Sequence, residues 1–290
     1  MTSRRMQIAL HAATIMHTNV VTDVRVARAC GYDGIELWIP KLIRYLDAGF
    51  TTDDLREALG PLRVTLLDTL LPIEARDAET RGQLLTECAR MAEVAAALDC
   101  PAIQVVALND FEGASWEQQR RALVASLGEL ADVAAAHGVK LALEPVVFSR
   151  FRELSQALEV IEQVGADRLG LCLDTWHLWT VGTPWEEVAA LDRELILSVH
   201  IGDTHARAGP DWRDADRAAL PGEGVLPLRE AVDAVLATGY DGMWAVEMKS
   251  ERHWEWDPEV LARAIREHAL PLLPPRDPRA GDRPATDATG

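Results

Sequence analysis

Leu141-Ala142-Leu143-Glu144-Pro145 is a short apolar run that ends in a carboxylate and is stopped by a proline. The pattern recurs downstream with other polar endings: Leu171-Cys172-Leu173-Asp174-Thr175, Leu197-Ser198-Val199-His200 and Trp244-Ala245-Val246-Glu247. Continuous apolar runs of this length suit strands covered on both faces, as in a parallel sheet. Four such strands, each ending in a group able to ligate a metal and each followed by a helix-like segment, point to one site built along one edge of a sheet.

Working outward, the chain alternates strands and helices. Met6 to Ala12 reads as a strand, Thr22 to Cys30 as a helix closed by Gly31, and Gly34 to Trp38 as the next strand. Thr51 caps a helix to Leu59, with Asp54 as its acidic capping partner. Strands over Arg63–Leu71 and Ala102–Leu108 flank a long amphipathic helix from Ala78 to Leu98. Ser115 to His137 is a helix stopped by Gly138. Strands five to eight cover Val139–Glu144, Leu169–Asp174, Ile196–His200 and Met243–Glu247. Their helices run over Glu153–Val164, Pro184–Leu191, Pro227–Thr238 and Pro258 to about Ala269. Eight β units spaced roughly 25–40 residues apart fit successive right-handed βαβ crossovers. At this length they predict an α/β fold, a closed (β/α)8 TIM barrel, as one domain over residues 1–273. An open doubly wound sheet is the competing architecture, but no Gly-x-Gly-x-x-Gly turn follows strand one. The Pro-, Asp- and Ala-rich segment 274–290 lacks periodicity and is expected to be disordered.

Composition narrows the function. The 290 residues are 48% hydrophobic, enough for a large core, and carry a net charge of −17. Such a surface argues against nucleic acid or an anionic membrane as a partner. No apolar run reaches transmembrane length, and no signal-peptide pattern opens the chain. Cys30, Cys88, Cys100 and Cys172 lack paired spacing and read as reduced core residues of a cytoplasmic protein.

A barrel carries its active site at the C-terminal ends of its strands. Glu144, Asp174, His200 and Glu247 fall there, on four neighbouring strands, so their side chains can converge. Three carboxylates and an imidazole suit one divalent ion, Mn²⁺ first, with Co²⁺, Mg²⁺ or Zn²⁺ compatible. Glu36 and Gln104, on strands two and four, are candidates for substrate contact or ligand support. Nine tryptophans against three tyrosines and four phenylalanines supply indoles for stacking on the apolar face of a sugar or on an aromatic ring. Trp38 and the loop indoles Trp254 and Trp256 are the candidates.

Gly31-Tyr32-Asp33-Gly34-Ile35-Glu36-Leu37, Leu143-Glu144-Pro145, Asp174-Thr175-Trp176-His177, Val199-His200-Ile201-Gly202-Asp203 and Pro221-Gly222-Glu223-Gly224 resemble the sugar phosphate isomerase/epimerase group of xylose-isomerase-like barrels. The resemblance spans about residues 6 to 270. It implies that Glu144, Asp174, His200 and Glu247 hold one metal, usually Mn²⁺, and that Glu144 and Glu247 act as an acid/base pair. It implies a sugar or polyol substrate and proton abstraction next to a carbonyl through an enediolate, with the metal as Lewis acid. His177 then contacts a substrate oxygen. Family members carry an arginine six residues after the histidine; Arg207 follows His200 by seven and is the nearest candidate. Glu223 is expected to fix its loop rather than touch substrate. A homo-oligomer is compatible with the family.

Isomerases, epimerases and dehydratases or lyases on keto-sugars, cyclitols and oxidised glycosides share this first step, and the residues do not separate them. The superfamily's DNA-repair endonucleases use three zinc ions and further histidines. Here Gln104-Val105-Val106-Ala107 has none, nor does the segment Asp211 to Gly224, and the surface is acidic. A silent binding barrel does not account for a complete ligand quartet.

Overall fold

The computed structural model describes residues 4–74, 77–108, 111, 113–207, 209, 211–273 and 275–276. Eight parallel strands close into a barrel. They are β1 Ile8–His11, β2 Gly34–Trp38, β3 Arg63–Leu70, β4 Ala102–Val106, β5 Lys140–Glu144, β6 Leu169–Asp174, β7 Ile196–Ile201 and β8 Trp244–Val246. The ring shuts between β8 and β1, with Ile8 beside Trp244 and Leu10 beside Val246.

Helices cover the barrel from outside. The sequence places most of them correctly because their ends carry side-chain caps. Asn19 accepts from Thr22 N at the start of Val20–Ala29, and Thr51 with Asp54 forms the reciprocal box that opens Thr52–Leu59. Ser115 and Gln118 do the same for Trp116–Ala135. Three helices escape the sequence reading: Ile39–Asp47, Thr175–Thr180 and Glu251–Trp254. The first begins immediately at the end of β2 and the second immediately at the end of β6, so no polar spacer announces them. Most of the segment 274–290 lies outside the described residues; Pro275 and Arg276 pair antiparallel with Arg5 and Arg4.

Alternation along each strand turns the sequence into a layered interior. Leu66, Ala102, Ala142 and Cys172 pack together inside the barrel, and so do Ala9, Met243 and Ala245. Two residues further along each strand, one level higher, the inward position is polar. Asp68, Gln104, Glu144 and Asp174 follow the first set in this way, and His11 and Glu247 follow Ala9 and Ala245. Glu36 and His200 stand in the same relation to Gly34 and Ser198. Register holds them level: His11 pairs beside Glu36, and Asp174 beside His200. The barrel therefore has a dry apolar floor and, above it, a ring of eight buried polar side chains, one per strand.

Candidate active site

Glu144, Asp174, His200 and Glu247 each offer a ligand atom, and these atoms lie within 4.8 Å of one another. All four residues are buried. His200 uses its two ring nitrogens differently. Nε2 faces Glu36 Oε2 at 2.9 Å, whereas Nδ1 faces Glu247 Oε2 at 3.2 Å and Glu144 Oε1 at 3.8 Å. Glu36 in turn accepts from Ser198 Oγ at 2.8 Å. With Nε2–H directed at Glu36, Nδ1 is the nitrogen left to face a cation in the quartet.

Gln104 Nε2 donates to Glu144 Oε2 at 2.8 Å, leaving Glu144 Oε1 buried with no partner. Burial, with Glu247 and Asp174 close by, pushes the Glu144 carboxyl well above its usual range. Burial would raise Glu247 too, but Arg217, Lys249, His11 and His200 together hold it well below that range. Asp174 divides its oxygens: Oδ1 caps the helix Thr175–Thr180 by accepting from Trp176 N at 2.7 Å and His177 N at 3.1 Å. Its Oδ2 accepts from Arg217.

Arg217 is the site residue that the sequence reading misses. Its guanidinium donates to Asp174 Oδ2 at 2.7 Å and to both oxygens of Glu247 at 2.8 and 2.9 Å. It stacks over Trp176 with Cζ 5.3 Å from the ring centre. Arg207 instead donates to the carbonyl of Asp211 and to Asp216, and covers Trp212. The only sequence signal for Arg217 is its place four residues before Pro221-Gly222. That loop is drawn inward by Asp203, whose carboxylate accepts the backbone N–H groups of Gly222, Gly224 and Leu226. A Cβ on Gly224 would fall 2.1 Å from Asp203 Oδ1, so the tight cradle requires glycine there. Glu223 itself points outward, 3.7 Å from His268.

His177 is buried and accepts Val147 N–H on Nδ1 at 3.1 Å. Its proton must then sit on Nε2, which is buried and unpartnered. Burial and the nearby Arg217 hold the ring neutral, with its pKa well below the usual value. His11 and Asp68 complete the ring of eight on the side of β1 and β3, and neither was singled out from sequence. Lys249 Nζ lies 3.1 Å from Glu247 Oε1. Trp254 donates Nε1–H to Thr14 O at 3.0 Å and packs near His17. Trp38 borders a cavity of about 890 Å³ with Met16, His17, Thr69 and Leu71. Trp256 is 38% exposed and packs against His253.

The donor set suits a divalent cation. Three carboxylates crowd one imidazole nitrogen in a buried space, and Glu144 Oε1 has no hydrogen-bond partner there.

The model of the xylose isomerase-like TIM barrel matches residues 24–269. The chain belongs to that family. The inosose isomerase of Halalkalibacterium halodurans is 29% identical over 90% of this chain and 94% of its own length. The 3-dehydroshikimate dehydratase of Pseudomonas aeruginosa is 27% identical over 76% of this chain and 34% of its own. The crystal structure of the IOLI protein with a bound zinc atom superposes with a TM-score of 0.86 at 27% identity, covering 92% of this chain and 98% of that one.

Proposed function

We propose that this protein is a divalent-metal-dependent isomerase or epimerase of a keto-sugar or keto-cyclitol. The observation that carries the reading is the buried quartet of Glu144, Asp174, His200 and Glu247, whose ligand atoms converge and whose Glu144 Oε1 has no hydrogen-bond partner. The inosose isomerase relatives supply the substrate class, and Mn²⁺ is the ion that best suits three oxygen donors and one nitrogen. Held by these four residues, the ion supplies Lewis-acid polarisation of the substrate carbonyl.

The chain's own groups do the rest. Glu144, whose Oε1 has no hydrogen-bond partner, takes the proton from the carbon next to the carbonyl. Glu247 is kept ionised by Arg217 and Lys249, and it faces the space from the end of another strand. His177 presents a neutral Nε2–H as a fixed donor to a substrate oxygen. Arg217 orients Asp174 and Glu247 and adds a cationic edge to the pocket. Dehydration remains the second reading, favoured by the dehydratase relatives, and it starts with the same proton abstraction.

The test is proton NMR in D₂O with an inosose and ketose panel and Mn²⁺. Wild-type protein should incorporate deuterium next to the carbonyl. Glu144→Gln should slow that by at least the ~10²–10⁴-fold typical of a lost general base. Absence of exchange with every substrate, in protein carrying metal, refutes the reading. Loss of a hydroxyl during turnover selects the dehydratase.

A further inference from the structure

His11 and Asp68 sit on β1 and β3, outside the quartet on β5 to β8 although His11 borders it, and the mechanism above assigns them no step. Their arrangement is specific. His11 is fully buried, and its Nδ1 accepts Ala13 N–H at 3.3 Å, which puts the ring proton on Nε2. That Nε2–H has no hydrogen-bond partner, although three carboxylates face it: Asp68 at 3.4 Å, Glu36 at 3.7 Å and Glu247 at 4.0 Å. The tautomer argues against a second metal here, because a metal on Nε2 would require the proton on Nδ1, where the Ala13 N–H already points. Asp68 is buried and has no arginine or lysine within ion-pair distance among the described residues. The same imidazole nitrogen lies between Asp68 and Glu247, which puts Asp68 one side chain away from the quartet. Trp38, the register partner of Asp68, and the adjoining Thr69 line the 890 Å³ cavity that opens next to it.

We propose that Asp68, oriented by His11, is a catalytic residue that carries the oxygen-bound proton of the substrate while the glutamates carry the carbon-bound one. This rests on the isomerase reading above. Moving a carbonyl to the neighbouring carbon requires two proton transfers, one between carbons and one, in the same sense, between oxygens. A glutamate takes the proton from the hydroxyl-bearing carbon, and the electron pair shifts into the carbonyl. That first step leaves an enediolate and does not need Asp68; in a separate step the protonated Asp68 gives its proton to the oxygen, leaving an enediol and the Asp68 carboxylate. Asp68 then takes the proton from the neighbouring hydroxyl, whose electron pair forms the new carbonyl. The former carbonyl carbon recovers its proton from the glutamate. Both acids end as they began, and no co-reactant enters. Burial, reinforced by Glu247, pushes the Asp68 carboxyl up to about 7, against the lowering effect of Lys249 and His200. A carboxyl so placed can both hold and release a proton near neutral pH.

The experiment is the split between exchange and conversion in D₂O, with Mn²⁺ and 2-keto-myo-inositol as the probe. In Asp68→Asn, deuterium uptake next to the carbonyl should stay within about threefold of wild type, while net isomerisation falls by ~10²–10⁴-fold. His11→Gln keeps the Asp68 carboxyl and serves as the second variant; it should show the same split with a smaller loss. Equal falls in exchange and conversion, or no fall in either, overturn the assignment. A metal-loaded wild-type protein that neither exchanges nor converts the probe overturns the isomerase reading, and this proposal with it.

Discussion

Removing the Arg217 guanidinium should destabilise the metal-free protein far more than the metal-loaded one. Arg217 makes three hydrogen bonds to Asp174 and Glu247 at 2.7 to 2.9 Å, all between buried groups. In Arg217→Met the apolar stem is kept and the charge is lost. Asp174 then loses its ion-pair partner and Glu247 keeps Lys249 but loses two of its hydrogen bonds, and breaking such a buried network costs about 3–5 kcal/mol. At roughly 2–4 °C per kcal/mol for a domain of this size, the melting temperature should fall by roughly 6–20 °C in chelator-treated protein. A divalent ion bound by the quartet supplies the missing positive charge, and binding only the folded state adds its own stabilisation. The fall measured in saturating Mn²⁺ should therefore be less than half as large. Thermal melts of wild type and variant, each with chelator and with Mn²⁺, give all four values. Equal falls in both conditions would refute the reasoning, because they would mean that the metal and the guanidinium do not share the same carboxylates.

Glu36→Gln weakens the support that directs His200 Nδ1 into the quartet, so Mn²⁺ affinity should drop by about 10- to 100-fold; unchanged affinity in a chelator-competition titration refutes this. Lys41 is fully buried and donates to Ala12 O, Ile15 O, Thr18 and Asp23, pinning the turn after β1. Lys41→Met should cost about 3–5 kcal/mol in denaturant unfolding because it strands the buried Asp23, and a loss under 1 kcal/mol would contradict the pairing. Asp68 has a folded pKa near 7 against an ordinary value of 3.8, so the stability it contributes is complete below about pH 4 and is lost as pH rises through 7. Relative to wild type, metal-free Asp68→Asn should therefore become more stable by on the order of 2–4 kcal/mol between pH 4 and pH 8. A difference that stays flat across that range in denaturant melts would count against the raised value.

The eight strands, their order and the quartet are legible in the chain because each rests on a local rule. Apolar runs mark buried strands, caps and glycines mark helix ends, and a polar residue closing a strand sits at the mouth of a barrel. Glu36 and Gln104 sit mid-strand, in Gly34–Trp38 and Ala102–Val106, so no strand end marks them. His11 and Asp68 likewise lie inside longer, mainly apolar runs, Ile8–Ala13 and Val64–Leu71, where a polar residue does not look like an end. Only the register of the closed barrel shows that they stand level with the quartet. Asp174 reads as a strand terminus, and its second role as helix cap appears only once the chain turns at once into Thr175–Thr180. Arg217 lies beyond any local rule. It arrives from an irregular segment after β7 that has no periodicity of its own, and its place is set by Asp203 gathering the backbone of Gly222 and Gly224. The sequence by itself determines which groups face the barrel's interior, because strand alternation is a property of neighbouring residues. The tertiary structure decides which of them meet, which nitrogen of each histidine is free and which cation answers the carboxylates. Those depend on distances between segments far apart in the chain.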